Sequence, residues 1–365
     1  MKVAIVHDWL IHMRGGEKVL DGIAELFPNA TIYTLLSDKM KLSPNLKRMP
    51  IKNSFLHFFP GVKHYYRWLL PILPFAIRSL KIDEDTDLVI SSSHCVAKGI
   101  RKPKKAFHVC YCHTPARYLW GFEDIYFKRY LWPVRALIRV FLNVLRDWDL
   151  KVNEGVDFFI ANSECVRERI LKFYKRDAAI VNPPAAVDFF QPGPSKEDYY
   201  LAVSHFVPYK RLDLVIEAFN GLDRKLFVVG SGPLEPRYKK LRKSSNIFFL
   251  GPVRDGELRT LYASARALIF PAEEDFGIVP LEAQSCGTPV IAYGKGGSLE
   301  TVKSGIFFDE QTVEAVKNAV ERFETHSFDP TVVRARVEGF GRNGFLHKMR
   351  TVINEALNLR KERIS

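Results

Sequence analysis

Glu274 and Glu282 stand eight residues apart in "FPAEEDFGIVPLEAQSCGTPVIAYGKGG", directly after the mostly apolar run "ARALIFP". Acids placed there have two readings. A carboxylate in the first turns of a helix is favoured by the helix dipole, so a charged, solvated helix start accounts for both. A ligand site at the end of a strand accounts for them too, with Glu282 accepting hydrogen bonds from hydroxyls. Pro280 suits a first helical turn, where its missing donor costs nothing. The amides of Gly277, Ile278 and Val279 are then left facing outward for a phosphate.

Two further stretches pair a helix start with anion chemistry. In "GGEKVL", Gly15 and Gly16 permit close backbone approach just where a helix offers free amides, which makes them candidate phosphate contacts or simply a turn. In "SHFVPYKRLDLVIEAF", Lys210 and Arg211 fall between a strand and a helix. Cations at a helix start oppose the dipole, so the pair either sits in solvent or meets an anionic ligand.

The elements that must position these residues follow from periodicity. Short β-rich runs alternate with helical periods, as in "VAIVHD" then "GEKVLDGIAELF", and "DFFIANS" then "ECVRERILKFY". That alternation predicts βαβ units on parallel sheets. It stops at "NPPAAVDFFQPGPSKED", rich in proline and polar residues, and restarts at "YYLAVS". At 365 residues the chain exceeds what one core accommodates, so two doubly wound, Rossmann-like α/β domains are expected, facing across a cleft: residues 1–188 and residues 189–344. Residues 345–365 read as a terminal helix, with Phe345, Met349, Val352, Ile353 and Leu357 at helical spacing, packing back on the first domain. Ligands of open parallel sheets sit outside the carboxyl ends of the strands. The acidic cluster, the "GSG" after "KLFVV" and "GGEK" therefore lie at binding edges.

The net charge of +13 is uneven. Residues 1–190 hold 29 Lys/Arg against 19 Asp/Glu, while residues 191–365 hold 25 against 22. A basic half implies an anionic partner. The segment "FLHFFPGVKHYYRWLLPILPFAIRSLKI", residues 55–82, interleaves aromatics, leucines and cations without a carboxylate, a pattern that lies on an anionic membrane surface or covers a core. In "LWPVRALIRVFLNVLRDWDL", Arg135, Arg139 and Arg146 share one stripe with apolar residues opposite. No apolar run is long enough to cross a bilayer, and "MKVAIVHDWL" shows no secretory core, so a cytoplasmic protein is expected. All five cysteines read as reduced. Basic-aromatic RNA motifs are lacking, which argues against a nucleic-acid partner. The "DED" at 83–85 precedes its strand and reads as a solvated turn, not a metal site.

The motifs "SHFVPYKRLDLVIEAF", "VVGSGP", "FLGPV" and "FPAEEDFGIVPLEAQSCGTPVIAYGKGGSLET" resemble glycosyltransferase family 4, enzymes of the GT-B fold. "HDWLIHMRGGEKVL", "SSSHCVAKG" and "YCHTPARYLW" resemble a bacterial, mannosyltransferase-like branch of it. The resemblance implies a retaining, metal-independent hexosyltransferase taking a nucleotide sugar, GDP-mannose foremost, to a glycan or lipid-linked glycan, peripheral on the inner face of the cell membrane. It implies that Glu274 contacts hydroxyls of the transferred sugar and Glu282 the ribose. Gly16 and the amides near Ile278 would hold the diphosphate, with Lys210 neutralising the leaving group. Val253, in "FLGPV", would line the nucleotide site, and His113 would stand near the anomeric carbon or a sugar hydroxyl. One position departs from the family: His205 stands where an arginine is usual, five residues before Lys210, with Arg211 the compensating cation. The competing readings are another GT-B enzyme, an epimerase or phosphorylase, and a non-catalytic protein binding anionic surfaces on a transferase fold.

Overall fold

The computed structural model describes residues 1–121, 123, 127 and 131–364, without the side chains of Arg363 and Ile364. Among the described residues, the apolar runs form strands that pair only in parallel, in two sheets. Strands buried on both faces carry mostly apolar or small side chains instead of alternating ones, as Leu88–Ser93 does and, apart from His108, Phe107–Cys112. Two compact units result: Met1–Pro184 with Phe345–Ser365, and Ala185–Gly344.

The first unit holds β1 (Val3–His7), β2 (Thr31–Thr34), β3 (Ile51–Asn53), β4 (Leu88–Ser93), β5 (Phe107–Cys112), β6 (Phe158–Ala161) and β7 (Ala179–Ile180), in the order β3-β2-β1-β4-β5-β6-β7. The Gly15–Leu26 helix buries Val19, Leu20 and Ile23 with Ile5 and Ile90. The terminal helix, Arg342–Ile364, adds Phe345, Met349, Ile353 and Ala356 to that core. Gly22 makes the approach possible, because a Cβ there would lie 2.5 Å from the Phe345 ring.

The second unit holds β8 (Tyr200–Val203), β9 (Leu226–Val229), β10 (Ile247–Gly251), β11 (Ala267–Phe270), β12 (Val290–Tyr293) and β13 (Gly305–Phe308), ordered β10-β9-β8-β11-β12-β13. Residues 185–188, which the sequence places with the first domain, pack here: Ala185 and Val187 are buried with Phe276, Leu281 and Val337. Proline-rich composition locates the junction only approximately; apolar contacts decide on which side of it each residue falls.

In both sheets the order reverses between two central strands, β1 and β4 in the first, β8 and β11 in the second. Chain leaving those strands diverges to opposite sides and opens a crevice at their carboxyl ends.

The 132–153 helix (Trp132–Asn153) is attached to the first unit by charge as well as packing. Lys98 and Asp149, both buried, form an ion pair. Asp149 also accepts from Trp120 Nε1 at 2.9 Å and from the Tyr174 hydroxyl at 2.8 Å. Burial alone would lower the Lys98 pKa, but the charge of Asp149 and its hydrogen bond outweigh that and raise it. The apolar residues of this helix divide between two sides. Leu142 and Leu145 face the core, whereas Leu137, Val140 and Val144 are exposed.

His108 on β5 gives an acid-sensitive element. It is buried, with Nε2 2.8 Å from Ser91 Oγ, and burial pushes its pKa down to about 4. A histidine depressed on folding stabilises fully above its unfolded pKa and loses that contribution as pH falls through the window below it. Unfolding free energy should therefore drop by about 3 kcal/mol between pH 6.5 and 4 through this group. The check is urea unfolding of wild type and His108→Gln across that range, with the variant showing the flatter profile.

None of the five cysteines is in a disulfide, and four are buried. Asp83, half-buried, and Asp85, exposed, pair with Lys2, Asp83 also with Lys52. No described helix is long and apolar enough to cross a membrane.

Candidate functional site

Each unit carries a cluster of polar groups at its crevice. In the second unit, chain leaving β8 runs through His205 to a short 3-10 turn, Pro208–Lys210, and then the Leu212–Phe219 helix. Two glycines seat this loop. A Cβ on Gly230, at φ +125°, would lie 1.8 Å from the Ser204 carbonyl oxygen, and one on Gly232 would lie 2.7 Å from Phe206 backbone atoms. The "VVGSGP" glycines thus let one loop lie flat on another.

Lys210, at the end of that turn, forms an ion pair with Glu274, which follows β11; both side chains are about four-fifths buried. Lys210 also lies 5.3 Å from the centre of the Tyr209 ring. Arg211 is in the left-handed region, at φ +50°. Its guanidinium reaches Asp213 at 3.4 Å and Gln311 at 3.3 Å, and Gln311 donates to the Pro271 carbonyl at 2.8 Å. The two cations therefore divide, Lys210 to the acid and Arg211 to the loop carrying it.

Glu274 is set by main chain. Its carbonyl accepts from the Gly297 amide at 2.8 Å, and a parallel bridge joins it to Gly296. A Cβ on Gly297 would lie 2.3 Å from Phe276 backbone, so the "GGSLET" glycines are required for this approach. Gly277, at φ +95°, caps the Ile278–Ser285 helix. Ile278 and Val279, half-buried, occupy its first turn, whose amides have no acceptor within the helix. Glu282 is buried on the same helix and accepts from the Tyr262 hydroxyl at 3.4 Å. Burial and the charge of Glu282 push the Tyr262 pKa well up, so Tyr262 remains a donor. Gln284, fully buried, donates to the Pro280 and Thr301 carbonyls and accepts from the Lys303 and Ser304 amides, locking the helix to the chain beyond β12. Val253, two residues past β10, packs half-buried on the core around Leu201 and Phe270. His205 is exposed.

In the first unit, His7 ends β1 and is paired in register with Ser92 of β4. His7 Nδ1 lies 3.0 Å from the Ser92 carbonyl, which can only accept, so the imidazole carries its proton on Nδ1. His7 Nε2 is buried and meets no partner among the described residues. The Ser92 hydroxyl lies 2.8 Å from Nε2 of His113, the residue after β5. Both histidines have lowered pKa values, chiefly by burial; the other imidazoles of the cluster lower His113 further, whereas for His7 only His94 adds, against the opposing charges of Glu17 and Asp8.

His94 completes the cluster, 6.1 Å between ring centres from each of the other two. Its turn is held by Asp8, fully buried, whose carboxylate accepts the amides of His94, Cys95, Val96 and Ala97 at 2.7–3.0 Å. Gly16, in the first turn of the Gly15–Leu26 helix beside Gly15, borders this group. A Cβ there would lie 3.7 Å from His113 and 3.8 Å from His7. Glu17 caps that helix by accepting the Arg14 amide at 3.0 Å. His7, Asp8, Ser92 and His94 escaped sequence reasoning, although they lie inside "HDW" and "SSSHC"; only strand order makes them neighbours.

Residues 186–341 match the family described as glycosyl transferases group 1. Two curated relatives are D-inositol 3-phosphate glycosyltransferases. That of Mycobacterium avium (strain 104) is 30% identical, over 43% of this chain and 43% of the relative. That of Mycobacterium bovis (strain BCG / Pasteur 1173P2) is 29% identical, over 43% of this chain and 38% of the relative. The chain thus spans about two fifths of the length of the curated relatives it matches. Among solved structures, Anabaena Alr3699/HepE in complex with UDP and glucose superposes with a TM-score of 0.67 at 15% identity, over 97% of this chain and 99% of that one. Sucrose-phosphate synthase from Thermosynechococcus elongatus gives 0.72 at 18% identity, over 98% and 100%. The architecture is the GT-B fold, and residues 186–341, within the second unit, match the glycosyl transferases group 1 model.

Proposed function

We propose that this protein is a retaining hexosyltransferase that moves a sugar, mannose from GDP-mannose foremost, to a hydroxyl of a glycan or lipid-linked glycan, without a metal ion. The observation that carries this reading is the Lys210–Glu274 ion pair beside the amide end of the Ile278–Ser285 helix, with Glu282 buried on that helix. A cation, free amides and two acids suit a sugar diphosphate: the diphosphate draws Lys210, and Glu274 is released to accept from sugar hydroxyls. In the transfer, the bond from the anomeric carbon to the phosphate oxygen breaks and the diphosphate leaves with the electron pair. The acceptor oxygen bonds to the same face of the sugar and its proton passes to the leaving phosphate. Such a step depends on stabilising the developing diphosphate charge, the role Lys210 and the helix amides supply. His205, which stands where an arginine is usual in the family, is exposed, and Arg211 is the second cation. On the second unit Val253 would line the nucleotide; on the first, Gly15 and Gly16 would contact phosphate and His113 a sugar hydroxyl. The acceptor would be presented at an anionic membrane surface through residues 55–82, on the cytoplasmic side.

Screening GDP- and UDP-sugars for hydrolysis and transfer tests the reading. GDP-mannose should be consumed with retention at the anomeric carbon, and a preference for UDP-glucose would reassign the donor. In excess EDTA the rate should not change. Loss of activity that magnesium or manganese restores would replace Lys210 by a metal-assisted mechanism.

A further inference from the structure

We propose that the outer face of the 132–153 helix and the 55–79 segment form one lipid-facing platform that seats the first unit on an anionic bilayer. This deepens the membrane reading above by naming the surface, and it rests on that reading.

The helix is about 33 Å long at 1.5 Å per residue. With successive residues 100° apart, Leu142, Leu145 and Asp149 point inward, and all three are buried. Pro133, Leu137, Val140 and Val144 fall on a separate stripe, and the last three are 72%, 64% and 62% exposed. Trp132 at its start is 79% exposed. A helix whose apolar residues were meant only for a core would not leave this stripe in water. The stripe continues sideways into a groove of about 490 Å³, lined by Val144, Phe141 and Trp148 from this helix and by Phe75 from the Leu73–Ser79 helix. The Leu73–Ser79 helix in turn packs on the Phe55–Phe58 turn. Phe75, Trp68 and Phe58 are each more than 70% exposed. Adjoining elements of one unit thus present aromatic and branched side chains outward together.

Charge selects the occupant. From residue 39 through 82 the chain holds nine Lys/Arg and no carboxylate; on the helix Arg135 and Arg139 add to them, while Arg146 pairs with Glu123. Arg67, Arg78, Arg101 and Arg139 are exposed, and Arg78 and Arg101 also line the groove. A symmetric contact with a second copy would bring this cationic surface against itself. Anionic headgroups around inserted apolar side chains complement it, as on an interfacial amphipathic helix.

The test is co-sedimentation of the full chain with vesicles of phosphatidylglycerol and phosphatidylcholine, against phosphatidylcholine alone. Wild type should bind the anionic vesicles and release in high salt. The double change Leu137→Asp with Val140→Asp, at exposed positions, should lower partitioning about tenfold or more. Brominated acyl chains should quench tryptophan fluorescence in wild type and not in Trp68→Phe with Trp132→Phe. Equal partitioning of wild type and the aspartate variant overturns the platform, as does a mass doubling in vesicle-free sedimentation that the variant abolishes, which would assign the face to a second copy. Nucleotide affinity of the same preparations separates this from the transferase reading. A variant that leaves vesicles yet binds nucleotide supports the platform, whereas a wild type that binds vesicles and no nucleotide sugar sinks the transferase alone.

Discussion

Glu274→Ala lowers the transfer rate by about two to three orders of magnitude while affinity for the bare nucleoside diphosphate stays within a few-fold. The partners of Glu274 in the proposed complex belong to the transferred sugar, so the loss falls on a state in which charge develops there, worth about 2–4 kcal/mol. Its partner in the free protein is Lys210. Removing the acid frees Lys210 for the diphosphate, which keeps nucleotide binding intact. The measurement is transferase rate beside calorimetric affinity, on variant protein shown to be folded. Normal turnover by folded Glu274→Ala would leave this residue as a charged loop acid and move the sugar contact elsewhere.

The second large effect is on stability. Lys98→Met leaves Asp149 buried with its charge unanswered, a change that costs about 3–5 kcal/mol. Both partners lie in the interior of the first unit, and Trp120 and Tyr174 also converge on Asp149. The double variant Lys98→Met with Asp149→Leu should recover a large part of the loss, because two well-packed apolar side chains replace an ion pair at little net cost. It should not recover all of it, since the Trp120 and Tyr174 donors are then stranded. Urea unfolding of the three variants decides this; a single variant within 1 kcal/mol of wild type would show that water reaches the pair.

The α/β alternation was legible because buried parallel strands are runs of apolar residues between helical periods, and "RALIF", followed past Pro271 and Ala272 by Glu273 and Glu274, shows its strand end without tertiary knowledge. The role of Gly296 and Gly297 was not legible in this way, since the backbone that side chains there would meet belongs to Glu274 and Phe276, on an earlier loop. Nor was the Lys210–Glu274 pair, because it joins loops 64 residues apart that meet only when β8 and β11 lie side by side. His7, Ser92 and His113 come from three strands, and no spacing in the sequence records that β1 pairs with β4. On the 132–153 helix, 3.6-residue periodicity shows an amphipathic helix but not that two apolar stripes exist, of which only one has a core to face.

On the proposed reading, the second unit holds a nucleotide through the Ile278–Ser285 helix. Calorimetric titration of GDP into wild type and Glu282→Gln tests it most directly. Glu282 is buried, and Tyr262 remains to donate to the amide oxygen, so the variant should fold. Loss of a charged acceptor to the ribose hydroxyls should raise the Kd by about tenfold or more, roughly 1.5–3 kcal/mol. An unchanged Kd, in a variant with wild-type unfolding behaviour, would contradict the account and return Glu282 to the role of a helix acid.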